Sequence, residues 1–431
     1  MRKLTVIILI LIQACIASAQ TYTITGKILD KNTMRPFEEA TLFVQALNLS
    51  AKADSSGNFK MKLPAGEHTL GAFSLGMAIA TKTVILNNNL TINFYLNDLS
   101  DNLDEVEIYD KRETLGGISR LQAIENYGIY EAKKNEVIKL EDFAANKVNN
   151  NARQVFAKVP GLNIWESDFA GLQLDIATRG LGPGRTANFN TRQNGYDMSA
   201  DALGYPESYY LPAMQAVERI EIVRGAASLQ YGTQFGGMLN FRLKEAPSMP
   251  LDIHFEQAVG SFGMINSFAS IGGTKNNIDY YGYYQYRQGD GWRDNSEFDA
   301  HTAFTRFGWQ LNERLKIGVE GSFMKYKAQQ PGGLTDDRFE DGNLKQSLRD
   351  RNWFQVSWNL MAATLDYRFS PKTQLNVKAF GLISSRDALG NLTQIGVADN
   401  PEENRTLIRD DFKNYGSELR LLHRYSLAGK N

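Results

Sequence analysis

Two stretches decide how this chain is read. The first is Asn150-Asn151-Ala152-Arg153-Gln154-Val155-Phe156-Ala157-Lys158-Val159-Pro160-Gly161. The second is Ile220-Glu221-Ile222-Val223-Arg224-Gly225-Ala226, followed by Tyr231-Gly232-Thr233-Gln234-Phe235-Gly236-Gly237-Met238-Leu239-Asn240. Apolar residues between Leu140 and Val159 recur at helical spacing, and Pro160-Gly161 ends that pattern, since proline cannot continue a helix. Ile220 to Gly225 and Met238 to Leu243 have strand character and flank a glycine-rich bend. From Trp165 to Ser208 runs a long polar stretch carrying Arg179, Arg185 and Arg192. A loop of that length inside a compact domain is usually functional. Gly180-Leu181-Gly182-Pro183-Gly184 imitates a phosphate cradle, but Pro183 interrupts it and no helical pattern follows.

Downstream, from residue 250, the chain turns into alternating strands. Leu315, Ile317, Val319, Gly321 and Phe323 share one face, with Lys316, Gly318, Glu320, Ser322 and Met324 opposite. Phe354, Val356, Trp358 and Leu360 alternate with Gln355, Ser357 and Asn359, and Leu375, Val377 and Ala379 with Gln374, Asn376 and Lys378. A soluble sandwich would bury the apolar face, whereas a membrane barrel turns it to lipid and lines its lumen with the polar face. Loop lengths favour the barrel. Asn312-Glu313 and Ser370-Pro371 make minimal turns, while residues 327–353 and 385–404 are long and polar. Tyr280, Tyr281, Tyr283, Tyr284 and Tyr286 suit an interfacial girdle. About eight antiparallel strands are expected over 246–431. An eight-stranded sheet left open would expose unpaired edges in lipid, which is prohibitive. The expectation is a barrel continuing beyond Asn431.

Upstream, residues 20–100 alternate with a two-residue period. Tyr22, Ile24, Gly26 and Ile28 lie on one face; Phe59, Met61 and Leu63 oppose Lys60 and Lys62; Leu90, Ile92, Phe94 and Leu96 repeat the pattern. Turns at Asp54-Ser55-Ser56-Gly57 and Pro64-Ala65-Gly66 complete the signature of a small β-sandwich of the immunoglobulin or prealbumin kind. Residues 1–19 read as an export signal: Arg2 and Lys3, an apolar run, then Ala17-Ser18-Ala19. Cys15, the single cysteine, lies within it, so no disulfide or cysteine metal site is expected after cleavage. A formal net charge of −1 gives no footprint for nucleic acid. His68, His254, His301 and His423 are scattered, and no catalytic set or metal site is expected. The chain reads as a non-enzyme.

The motifs of the two opening stretches resemble the plug domain of TonB-dependent outer-membrane receptors, nearest the branch that takes up ferric citrate. The front sandwich resembles the carboxypeptidase regulatory-like domain. The resemblance implies a mainly β chain: an α+β plug over 113–245, then part of a transmembrane barrel that in the family has about 22 strands. It places the chain in the outer membrane with its N-terminal domain in the periplasm. It implies active import of an iron chelate, ferric citrate or a siderophore, with TonB and the ExbB/ExbD complex as partners. Iron enters only as cargo, so no resident cofactor is expected. A receptor for glycans, haem or cobalamin, or a non-transporting outer-membrane binding protein, is the alternative.

Within 101–112, Asp104-Glu105-Val106-Glu107-Ile108 looks like a TonB box, a segment gripped by β-augmentation. The same residues also suit a last sandwich strand with a linker. Because arginine forks bind carboxylates at two points, Arg179, Arg185 and Arg192 in the plug loops and Arg338, Arg349 and Arg351 in the external loop are the ligand candidates. Gln193, Asn194 and Tyr196 accompany them, with Trp165 and Asn188 as further contacts. Salt bridges within the protein are the competing use of each arginine. Pro160, Gly161, Gly225, Gly236 and Gly237 are expected to be structural, and Arg224 to tether plug to barrel.

Overall fold

In the computed structural model, residues 21–96 and 118–425 are described, apart from positions 32, 45–46, 48, 75–76, 78, 131–133, 143, 167–169, 202–204, 206, 226–229, 233 and 392. The expected export signal, residues 1–19, and Asp104 to Ile108 lie outside the described residues. The chain divides into two compact units, Met1–Tyr109 and Asp110–Asn431.

The first unit is a two-sheet sandwich. Thr21–Asp30 lies between Asn58–Pro64, antiparallel, and the parallel pieces Leu90–Thr91 and Phe94–Leu96. The second sheet orders Leu49–Lys52, Thr41–Val44, Gly66–Phe73 and Ala80–Leu86. Ile24, Ile28, Leu42, Phe59, Leu63, Leu70 and Phe94 fill the space between them, while Lys60 and Lys62 point to water. At Gly26 a Cβ would fall on the Ile92 carbonyl, so this strand admits only glycine there. The turn before Asn58 is locked by Asp54, whose carboxylate accepts from the Ser56 and Asn58 amides.

The second unit begins with a central domain around a six-stranded sheet. Its members are β1 (Ile118–Ser119), β2 (Asn135–Lys139), β3 (Phe189–Gln193), β4 (Tyr196–Asp197), β5 (Val217–Val223) and β6 (Gly237–Leu243), in the order β4-β3-β6-β5-β2-β1. β3 runs parallel to β6; the other pairs are antiparallel. The stretch expected as one long loop is therefore largely structured. It holds the hairpin of Leu162–Trp165 with Asp175–Thr178, and then β3 at the heart of the sheet. The helix expected over 140–159 is reduced to a 3-10 turn at Leu140–Asp142 and α1 (Ala152–Phe156). The asparagine run breaks it: Asn150 takes φ +49°, and the Asn151 side chain caps α1 by accepting from the Gln154 amide.

Eight long strands follow in simple up-and-down order: β7 (Asp252–Val259), β8 (Ile265–Lys275), β9 (Ile278–Gly289), β10 (Phe298–Asn312), β11 (Leu315–Gln329), β12 (Trp353–Ser370), β13 (Thr373–Gly390) and β14 (Thr406–His423). Two-residue turns close one end at 276–277, 313–314 and 371–372; longer connections, the largest at 330–352 and 391–405, form the other. The sheet wraps the central domain. Its inner face joins that domain in one continuous core, with Tyr283, Phe304, Phe354, Trp358 and Leu360 packed beside Phe156, Ile220 and Phe241.

The outer face carries a band of exposed apolar side chains: Phe307 and Trp309, Val319 and Phe323, Met361, Ile383, Leu419 and Leu421. Nearer the long-loop end, the same face becomes polar, with Lys325, Lys327, Gln355, Ser357, Arg409 and Lys413. An apolar belt with a polar rim is what a strand crossing lipid requires. Two expectations change here. Phe354, Val356, Trp358 and Leu360 face inward, because the central domain offers them apolar partners such as Tyr209. Tyr281 and Tyr283 also face inward, against Phe304 and Phe268, which leaves Tyr280, Tyr284 and Tyr286 outside.

Candidate ligand-binding site

The central domain is held together where the two motifs of the sequence meet. Arg224, just past the end of β5, donates to the Pro160 carbonyl at 2.9 Å and pairs with Glu136 of β2 at 3.2 Å. It ties parts of this domain together rather than tethering it to the surrounding sheet, because both of these partners, Glu136 and the Pro160 carbonyl, belong to the domain itself. Gly161 and Gly225 both take positive φ at these turns. Gly236 and Gly237 lie where backbones nearly touch: a Cβ would come within 2.5 Å of the Asn188 carbonyl and 2.3 Å of the Val223 carbonyl, respectively. One strand over, Glu221 is buried among Arg219 (2.8 Å), Arg242 (3.2 Å) and Asn240 (2.7 Å). Burial alone would raise its pKa, yet Arg242 and Arg219 hold it below the usual carboxylate value.

Polar contacts then seat the domain against the inner face of the sheet. Arg192 of β3 is 4% exposed and bonds Glu418 of β14 at 2.6 Å, the Gly195 carbonyl at 2.7 Å and Asn190 at 2.6 Å. Gln193 donates to Ser322 and to Tyr196 at 2.8 Å, and Asn194 donates to Glu320 at 2.7 Å. Arg386 of β13 donates to Tyr205 and Tyr209 and pairs with Asp410. Arg192, Gln193, Asn194 and Tyr196 were expected in apical loops. They instead form the buried seam between domain and sheet, because β3 and β4 carry them into the interior.

At the long-loop end, central domain and sheet enclose a cavity of about 860 Å³. Trp165, Arg185 and Glu207 approach it from the central domain; Trp292, Arg293 and Pro331 approach from the loops. Of the candidate arginines, only Arg185 lines it. Its guanidinium bonds Glu207 at 3.1 Å and lies over the Tyr209 ring at 5.4 Å. Burial works against its charge, but Tyr209 and Glu207 outweigh burial and raise its pKa. Arg179 is exposed beside Gly225 and away from this lining. Arg338, in α2 (Asp336–Glu340), donates to Gln346 at 2.6 Å and does not reach the cavity.

Arg349 and Arg351 act as staples. Arg349, 5% exposed, donates to the carbonyls of Leu348, Thr393, Gln394 and Val397, binding loop 330–352 to loop 391–405. Arg351 clasps Asp399 at 2.7 Å, and Arg405 joins it. The Arg351 hydrogen bond, helped by Arg405, pulls the Asp399 pKa below its ordinary value of 3.8. Sequence reasoning missed Glu207, Trp292 and Arg293. Trp292 carried a signal, a tryptophan in the Gly-Asp-rich turn Gly289-Asp290-Gly291, where an aromatic side chain is left in solvent. Among the described residues, no group of three His, Cys, Asp or Glu side chains could hold a metal ion.

Residues 24–108 match the CarboxypepD_reg-like domain, and residues 131–238 match the TonB-dependent Receptor Plug Domain. A ferric enterobactin receptor of Pseudomonas aeruginosa is 32% identical over 125 residues, which is 26% of this chain and 16% of that protein. The ferric citrate transporter FecA in its unliganded form superposes with a TM-score of 0.59 at 21% identity, covering 69% of this chain and 45% of that one. The ferripyoverdine receptor of the outer membrane of Pseudomonas aeruginosa, bound to ferripyoverdine, gives 0.54 at 15%, covering 69% and 40%. The chain thus spans less than half the length of these relatives, and at such identities the structures speak for fold alone. The chain carries a TonB-dependent receptor plug domain, preceded in sequence by a CarboxypepD_reg-like domain and wrapped by eight strands with the receptor-barrel fold.

Proposed function

We propose that this chain serves in TonB-dependent import of an iron chelate across a bacterial outer membrane. The observation that carries the reading is a folded plug docked by buried polar contacts onto strands whose opposite face is an apolar belt. A barrier of that design has no use in water, and in a membrane it must be moved for cargo to pass. The relatives whose names include ferric enterobactin, ferric citrate and ferripyoverdine support iron as the cargo. The cavity at the long-loop end is the receiving site. TonB, energised by ExbB and ExbD, would grip Asp104 to Ile108 by adding a strand to its own sheet. The front sandwich serves as a spacer or contact module. No covalent chemistry is needed, and the chain acts as a transport receptor rather than an enzyme. The ferric citrate branch in particular was read from the plug motifs, and of the six arginines expected to bind such a carboxylate cargo only Arg185 lines the cavity.

The test is uptake of radioactive iron by cells lacking the gene and complemented with it in full. Complemented cells should accumulate iron from at least one chelate, and a protonophore should stop them. Equal uptake with and without the gene across all chelates would exclude iron import.

A further inference from the structure

The wall of the cavity is built for rings and not for polyanions. Trp165 and Trp292, 58% and 40% exposed, face the same cavity from plug and loop. Large aromatic side chains left this open in a concave site gain by being covered. Phe298, Tyr326 and Phe354 continue the apolar lining. The charged groups tell the other half. Two guanidinium groups, Arg185 and Arg293, stand against three carboxylates, Glu166, Asp175 and Glu207. Arg185 is engaged by Glu207, and its own backbone amide donates to Asp175. Arg293 donates to the carbonyls of Gly332 (2.6 Å) and Gln346 (3.1 Å), and burial lowers its pKa. Glu166 is balanced by Arg153 at 3.3 Å. This wall therefore has no surplus positive charge. A carboxylate-rich cargo would have to displace bonds already made and lie against other carboxylates.

Resting on the import reading above, the geometry points to a ring-bearing iron chelate of low net charge as the ligand, held between Trp165 and Trp292, and not to a polycarboxylate. Such a ligand covers both indoles and leaves the Arg185–Glu207 pair intact.

Calorimetry on the detergent-solubilised full-length chain separates ring from charge with three probes. Ferric tris(1-hydroxypyridin-2-onate) is neutral with three rings; ferric tris(acetohydroxamate) is neutral without rings; ferric citrate is a carboxylate anion. The ring complex should bind about tenfold more tightly than either of the others. Trp165→Ala and Trp292→Ala should each remove most of that advantage. Equal binding of the two neutral complexes would overturn the role of the rings. Preference for ferric citrate, unaffected by either tryptophan change, would overturn the whole inference while leaving iron import standing. No binding by any of the three, together with no iron uptake in cells, would remove both.

Discussion

Arg224 joins its own Arg-Gly motif to the Pro160-Gly161 turn, 64 residues apart in sequence. Its guanidinium is nearly buried, so truncation would strand the Pro160 carbonyl and the Glu136 carboxylate. Arg224→Ala should destabilise the plug by about 2 kcal/mol, seen as faster protease cleavage within 118–245, with Arg224→Lys intermediate. Glu221 is the more severe test. Glu221→Gln leaves Arg219 and Arg242 facing each other without their shared carboxylate, and about 3 kcal/mol of stability should be lost in a thermal melt of the purified protein. At this scale the glycine-rich bend could be read as structural from its composition, though the close approaches at Gly236 and Gly237 are to Asn188 and Val223. It was not legible for arginines. Arg192 meets Glu418 across 226 residues, and nothing local in Asn-Thr-Arg-Gln distinguishes that buried pair from a solvent-facing ligand hook.

Among the elements, the strands were the easiest to see and their facing the hardest. β11 shows an unambiguous apolar row from Leu315 to Phe323, and that row faces outward as expected of a barrel strand. β12 is apolar on both counts: its upper half turns Phe354 to Leu360 toward the plug, and its lower half turns Met361 and Leu365 outward. Period-two alternation records that two faces differ, and it does not record what each face meets. Val319→Arg should therefore lower barrel stability by about 2–4 kcal/mol in lipid, with a far smaller effect from Lys325→Glu on the polar rim of the same face; urea unfolding in liposomes would compare them.

The loops offer a pH test. The folded pKa of Asp399 is depressed, so its clamp on Arg351 and Arg405 is complete above the ordinary value of 3.8 and fades as pH falls through the lower folded value. Proteolysis of loops 330–352 and 391–405 should accelerate below about pH 4. Asp399→Asn should show that acceleration already at pH 7.

On the scale of the whole chain, alternation, turns and loop lengths pointed to the front sandwich and to the long antiparallel strands, whereas the plug between them was visible only through the resemblance of its two motifs. The interior of the plug was not, since its polar residues are buried only because the surrounding sheet answers them with Ser322, Glu320 and Glu418. Removal of Asp104 to Ile108 tests the mechanism at this scale. Binding of chelate to whole cells should persist while accumulation of iron falls to the level of cells without the gene. Unchanged accumulation would show that those residues are dispensable for energy transfer.

The length of the strands has one last effect. β12, β13 and β14 each run 18 residues, while about 9–11 suffice to cross the hydrocarbon of a bilayer. Roughly the upper half of each strand thus stands clear of lipid as continuous hydrogen-bonded ladder. The vestibule is framed by stiff sheet, and Arg349 lashes the two largest loops above it into one body. On the import reading proposed above, a passage through such a rigid frame would open from beneath, by displacement of the stopper.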